Sequence, residues 1–122
     1  MPSNWIVFQA LCRILGGHDS EALRTTLAAG MMPQVISVAA LQDVLPALAV
    51  RCFELVDIAN SIDEHHHQLL RNALLENTQR NMQIVVQSIK LSRTLNSAGI
   101  KPLMLKGTAQ LLTVSRETPG FR

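Results

Sequence analysis

The sequence predicts a mainly α fold: a bundle of about five helices, one of them long, with one short strand near the C-terminus. Apolar residues make up 48% of the 122 residues, whereas aromatic residues make up only 3% and tyrosine is absent. The core is therefore aliphatic, which favours helices packed on helices over a β-sandwich. Apolar residues also recur at spacings of three and four, and the segment from Asp63 to Ala98 contains no Pro or Gly.

Capping residues and glycines bound the first two predicted helices. Ser3 or Asn4 can cap a helix from about Trp5 to Leu15, and a Gly-Gly pair follows it. Asp19 or Ser20 can cap the second helix, which runs to about Ala29 before Gly30. Helical spacing places one set of residues on a single face of the first helix: Trp5, Phe8, Leu11, Cys12 and Leu15.

Two prolines and one aspartate mark the next two helices. Pro33 suits the first turn of a third helix, from Gln34 to about Leu41. Asp43 can cap a fourth helix, which has Pro46 near its start and runs to about Val56. The core stripe predicted for this fourth helix contains Leu45, Leu48, Ala49, Cys52, Phe53 and Val56.

The fifth predicted helix is the long one, and Gly99 is its stop signal. From Glu64 to Ala98 it would measure roughly 50 Å, whereas a domain of this size has a radius of gyration of only about 13–14 Å. We expect it to project, to kink near Asn77–Asn81, or to lie along a partner. Its apolar repeat is formed by Leu70, Leu74, Thr78, Met82, Val85, Ile89, Ser92 and Leu95.

The segment Ile100–Leu105 is the one convincing strand. Pro102 places it at a sheet edge or at a strand start, and the apolar run Leu103–Leu105 is typical of a strand buried on both faces. Because one strand cannot form a sheet, its partners must come from Leu111–Ser115, from another copy or from sequence that is absent. A short helix over Thr108–Leu112 and a polar tail follow.

Charge and composition exclude several classes of function. The net charge is +2, with both signs spread along the chain. We find no basic stripe and no aromatic residues interleaved with basic ones, and therefore no specific nucleic-acid signal. Arg13 interrupts the apolar N-terminal segment, and no apolar run is long enough for a membrane span. We expect a cytoplasmic protein with no membrane partner.

Cysteines, histidines and carboxylates give no catalytic or metal site. Cys12 and Cys52 lack metal-ligand spacing, and we interpret them as two buried thiols in a reducing compartment. The three adjacent histidines His65–His67 point about 100° apart on a helix, so they cannot all bind one metal. Asp63 and Glu64 beside them, with Asp57, are better suited to the positive end of a helix dipole than to catalysis.

The segment from Leu95 to Ala109 (LNSAGIKPLMLKGTA) resembles the hallmark of a large bacterial family of uncharacterised nucleotidyltransferases in the polymerase-β-like superfamily. Its members carry a helical N-terminal region, a long helix ending in Ala-Gly-Ile and a strand ending in Leu-Lys-Gly. A short helix, a Pro-Gly-x-Arg-like segment and a strand with metal-binding aspartates come next. Pro119–Arg122 is similar to that lead-in, and Val44–Leu48 is similar to the family's segment ahead of the long helix.

The resemblance implies a nucleotide-phosphate-binding turn at Lys106, Gly107 and Thr108. Free backbone N–H groups at a helix start and the Lys106 charge suit a phosphate. The alternative is a strand-to-helix turn that needs glycine for its backbone alone. The resemblance also implies a helical domain over residues 1–98 and, over 99–122, the start of a truncated α/β core. A nucleoside triphosphate is the partner that the resemblance implies.

The chain stops where the family's aspartate strand begins. Magnesium is expected for the complete family fold, but we assign no cofactor and no catalytic residue to this chain, and we do not describe it as an enzyme. We expect a truncated gene product or a fragment. The alternative function is a non-catalytic helical interaction module. We also predict a homodimer, with the C-terminal half of the long helix or the strand in its interface, because both leave apolar surface exposed.

Overall fold

A computed structural model describes residues 3–17 and 20–103, and these residues form a mainly α structure. It contains six helices, one more than predicted: α1 (Asn4–Gly16), α2 (Glu21–Ala28), α3 (Met32–Leu41), α4 (Leu45–Phe53), α5 (Val56–Ser61) and α6 (Glu64–Ser97). No strand occurs in these residues, and residues 100–103 are neither helix nor strand. The rest of the predicted strand, the short helix after it and the tail lie outside the described residues.

The chain divides into two compact units, Met1–Leu74 and Leu75–Arg122. In the first unit, α1 packs against α2, α3 and α4, while α4 also packs against α3 and α5. All buried hydrophobic residues of the described ranges belong to this unit: Val7, Leu11, Ile14, Leu23, Met32, Val35, Ile36, Ala39, Leu48, Ala49, Cys52, Ile58, Ile62 and Leu70. The aliphatic core that the composition predicts is therefore present.

The buried face of α1 differs from the predicted one. Val7, Leu11 and Ile14 are buried, whereas Trp5 is 65% exposed and Phe8 is 37% exposed. Both sets have helical spacing, so periodicity alone does not decide which set faces the neighbouring helices. The Trp5 and Phe8 rings instead contact each other on the outside, with centroids 6.1 Å apart.

Three of the helix boundaries were predicted from their capping residues. The Ser3 Oγ caps α1 by accepting a hydrogen bond from the Ile6 N–H at 3.3 Å. Gly30, with a φ of 68°, ends α2, because the left-handed conformation is accessible to glycine at little cost. Pro33 lies in the first turn of α3, where its missing N–H removes no helical hydrogen bond.

Asp43 does not cap α4, contrary to the prediction. It has a φ of 56° and ends α3, and the next N–H, that of Val44, donates to the Ala39 carbonyl at 3.0 Å. Aspartate tolerates the left-handed conformation better than most residues, which is why it can close a helix here. The N-cap of α4 is Val44, without a side-chain hydrogen bond, and Pro46 follows in the first turn.

The predicted fourth helix is in fact two helices. It ends at Phe53, Leu55 is extended, and α5 begins at Val56. This break brings Ile58 into the core, where it is 1% exposed, and leaves Val56 75% exposed. Asp57 in the first turn of α5 forms an ion pair with Arg24 of α2. The hydrogen bond from Arg24 lowers the pKa of the Asp57 carboxyl.

α6 is one uninterrupted helix of 34 residues. It continues through Asn77–Asn81, the segment where a kink was one of the expected alternatives. Of its predicted apolar repeat, Leu70 is buried, whereas Met82 is 41% exposed and Ile89 is 38% exposed. Periodicity therefore predicted the helix correctly but did not predict which of its side chains are covered.

Candidate functional site

The end of α6 lies a few residues before the predicted phosphate turn in the sequence. The Ile100 N–H donates to the Leu95 carbonyl at 2.9 Å, and the Gly99 N–H donates to the Asn96 carbonyl at 3.0 Å. Gly99 has a φ of 77°, so this pair of hydrogen bonds forms a Schellman motif around a left-handed glycine. The motif terminates the helix ahead of residues 100–103, which are neither helix nor strand.

The predicted site residues themselves, Lys106, Gly107 and Thr108, lie outside the described residues. The part of the prediction that the structure does describe is the helix stop at Gly99. The exposed Lys101 is the one cation of the segment 100–103.

A second candidate site is an apolar surface on the C-terminal half of α6. Leu75, Met82, Val86 and Ile89 are each between 38% and 55% exposed. At about 100° per residue, their spacing of seven, four and three places them within an arc of about 60°. We call these four residues the exposed row.

The charges near the exposed row are basic. Arg93 follows Ile89 by four residues and continues the row, and Lys90 follows Val86 by four residues. Both of these cations are exposed. Between Leu75 and Leu103 the chain carries four basic residues and one acidic residue, Glu76, so this stretch has a charge of +3.

The three adjacent histidines lie at the start of α6, and two of them, His66 and His67, have different environments. The Asp63 carboxylate accepts the His66 backbone N–H at 2.8 Å and lies 2.6 Å from the His66 Nδ1. The His67 ring packs against Phe53, with centroids 5.0 Å apart. Within the described ranges, no group of three or more histidine, cysteine, aspartate or glutamate residues is arranged to hold a metal ion.

These contacts give Asp63 the role that the sequence predicts for it, at the positive end of a helix. The hydrogen bond from the His66 backbone N–H, followed by the contact with the His66 ring, lowers the pKa of the Asp63 carboxyl. A carboxylate that accepts a helix N-terminal N–H is stabilised in its charged form, because proton uptake would weaken that bond.

A groove of about 810 Å³ lies between α1 and α2. Its apolar walls include Ile6, Ala10 and Ala22, and Arg13 and Glu21 are among its polar lining residues. It is an open groove in which neither sign of charge dominates, so it selects no particular class of ligand. No sequence motif predicts this groove, because its shape depends on the angle between two helices.

The two cysteines differ, although both were expected to be buried. Cys52 is buried in the core, and this burial raises the pKa of its thiol to about 12. Cys12 is exposed, which corrects the expectation. It lies on the outer side of α1 because the core-facing side of that helix is taken by Val7, Leu11 and Ile14.

Comparisons with known proteins do not place the chain in a family. No protein-family model matches it, and neither curated proteins nor solved structures give a match. None of the helices in the described ranges combines the length and the apolar character needed to cross a membrane. The nucleotidyltransferase resemblance of Leu95–Ala109 therefore stays a prediction based on that segment.

The exposed row was not among the sites predicted from the sequence, for a specific reason. Met82 and Ile89 were assigned to the same stripe as Leu70 and Leu74, because all four fit spacings of three and four. The seven-residue repeat of Leu75, Met82 and Ile89 was the available signal, since such a repeat marks a second stripe on the same helix.

Proposed function

We propose that this chain is a nucleotidyltransferase-like protein that binds the phosphates of a nucleoside triphosphate at Lys106, Gly107 and Thr108. The observation that carries the proposal is the end of α6. The Ala98-Gly99-Ile100 sequence of the resemblance coincides with a Schellman motif that stops a long helix. A helical N-terminal region ahead of this stop also agrees with what the resemblance implies.

The proposed chemistry is binding of phosphate oxygens. Backbone N–H groups in a glycine-containing turn at a helix start would donate to them, and Lys106 would add a positive charge. The polymerase-type transfer reaction needs two magnesium ions held by carboxylates. The four aspartates of these 122 residues do not include an Asp-x-Asp pair. We therefore propose phosphate binding, and not nucleotidyl transfer, for these residues.

A binding titration with a fluorescent ATP analogue and magnesium tests this proposal. Lys106→Ala should weaken binding by about tenfold, since a charge-assisted hydrogen bond to phosphate is lost. Lys101→Ala is the matched control, because it removes a lysine from the same segment five residues earlier, and it should change binding less than twofold. Equal effects of the two variants, or no binding by the unmodified chain, would refute the proposed turn.

The same protein should not transfer a nucleotidyl group. Incubation with magnesium, each labelled nucleoside triphosphate and candidate protein and RNA acceptors should leave the acceptors unlabelled. Magnesium-dependent labelling that Lys106→Ala abolishes would show that these residues suffice for catalysis, against our expectation.

The exposed row favours a second candidate function, a helical interaction module. Four neighbouring apolar side chains on one exposed helix face are typical of a docking surface. A homodimer through the C-terminal half of α6 stays a prediction, and it competes with the docking of a different protein on the same face. Light scattering at several concentrations would measure it, and a monomeric mass throughout would contradict it.

A further inference from the structure

We infer that the exposed row of α6 docks an acidic amphipathic helix from a different protein. This inference rests on the interaction-module function and adds the chemistry of the partner. The row runs from Leu75 to Ile89, fourteen residues, which is about 21 Å along the helix. Its spacing of seven, four and three matches the apolar positions that a helix of about four turns presents to a neighbour.

The charges around the row select the sign of the partner. Arg93 lies in the same arc as the row, and Lys90 borders it beside Val86. Thr78 and Gln79 are the uncharged residues between Leu75 and Met82 that lie nearest to this arc. Glu76 lies about 110° around the helix from the centre of this arc. A partner helix with Asp or Glu beside its apolar positions would therefore meet only basic or neutral side chains here.

The same charges disfavour a parallel pair of copies of the chain as the occupant. Two copies paired in parallel through this face would set Lys90 and Arg93 of one copy beside those of the other, which costs free energy through like-charge repulsion. Four half-exposed side chains also present only a few hundred square ångströms in each copy. A stable interface buries at least about 1,200 Å² in total, so the row suits a weaker, charge-steered contact.

Two synthetic helical peptides of about 21 residues test the inference. Both carry one row of leucines at heptad spacing; one has glutamates beside the row and the other has lysines. Fluorescence anisotropy measures their binding to the full chain at low salt. The acidic peptide should bind about tenfold more tightly than the basic one, and Arg93→Glu should remove this preference.

A matched pair of leucine variants locates the binding face. Leu75 is 55% exposed in the row, and Leu91 is 57% exposed about 160° away on the same helix. Leu75→Ala should weaken binding of the acidic peptide by about fivefold, whereas Leu91→Ala should change it less than twofold. Circular dichroism of both variants should match that of the unmodified chain, since neither side chain is in the core.

The outcomes separate this inference from the function on which it rests. If the two peptides bind with equal affinity and Leu75→Ala abolishes binding of both, the acidic partner is wrong. The interaction-module function is then still supported. Absence of binding by both peptides to a monomeric chain would overturn both. A concentration-dependent dimer that Leu75→Ala abolishes and Leu91→Ala retains would make a second copy the occupant and overturn the inference.

Discussion

The first unit and the C-terminal half of α6 are both helical, but different interactions define them. The unit Met1–Leu74 contains every buried hydrophobic residue of the described ranges. From Leu75 to Leu103, the one buried residue among those described is the polar Asn81. Five short helices in the first unit end at tight turns, whereas the stretch after Leu75 has no turn before Ala98.

The difference shows that a helix can be predicted correctly while its role is not. In the first unit, burial of apolar side chains supplies most of the stabilisation, because short helices are marginal in water by themselves. After Leu75 the helix depends more on local hydrogen bonds and on its end signals. Apolar side chains that remain exposed there are therefore available for contacts with other molecules.

The largest expected contrast between the two regions is that of two leucine truncations. Leu48 is fully buried, so Leu48→Ala should lower the free energy of unfolding by about 3 kcal/mol, through lost transfer energy and the cavity that remains. Leu75→Ala should lower it by less than about 0.5 kcal/mol, because this side chain is already half in water. Urea unfolding followed by circular dichroism measures both. Equal losses would mean that the second region has a core of its own.

Two glycines test how each region responds to a strained helix end. Gly30 and Gly99 both have a positive φ, and an added Cβ would meet no atom within 4 Å at either position. The cost of alanine is therefore conformational, about 1 kcal/mol at each site. Gly30→Ala should lower the global stability by this amount, since it joins two core helices. Gly99→Ala should instead mainly accelerate hydrogen exchange at the last turns of α6, and an equal global effect would contradict this.

The smallest expected effect is the acid sensitivity of the α6 start. The hydrogen bond from the His66 N–H holds the pKa of Asp63 below its ordinary value of 3.8. The charged carboxylate therefore stabilises the fold above that value, and this contribution is lost as the pH falls through the lower folded pKa. Asp63→Asn keeps a capping oxygen without the charge. It should be less stable than the unmodified chain at pH 7, and the difference should shrink as the pH falls below 3.8, as measured by urea midpoints.

Local signals predicted the features that depend on local physics. The cap at Ser3 and the stops at Gly30 and Gly99 follow from backbone groups a few residues away, so the sequence contains all the information. The unbroken helix from Glu64 followed in the same way from the absence of Pro and Gly. At the candidate site, these local signals predicted the helix stop at Gly99, just before residues 100–103.

Features that depend on packing were not predictable in this way. Trp5 and Val7 lie on different faces of α1, and both faces have helical spacing. Asp43 suits a helix start and a left-handed helix end equally well, and the position of α4 decides between them. The break after Phe53 brings Ile58 into the core, and this contact with other segments is not visible in one short stretch of sequence. The exposed row was missed because exposure is a property of the folded chain.

The contrast between the two cysteines allows the opening of the first unit to be followed by thiol labelling. Because the thiol of Cys52 has a pKa of about 12 in the folded core, almost none of it is reactive thiolate near neutral pH. Because Cys52 is also fully buried, its modification by a thiol reagent requires that the core opens, and at a saturating reagent concentration the labelling rate equals the opening rate. Cys12, exposed on the same molecule, reacts without opening and serves as an internal standard. The lifetime of the closed core can thus be measured without adding any probe to the chain.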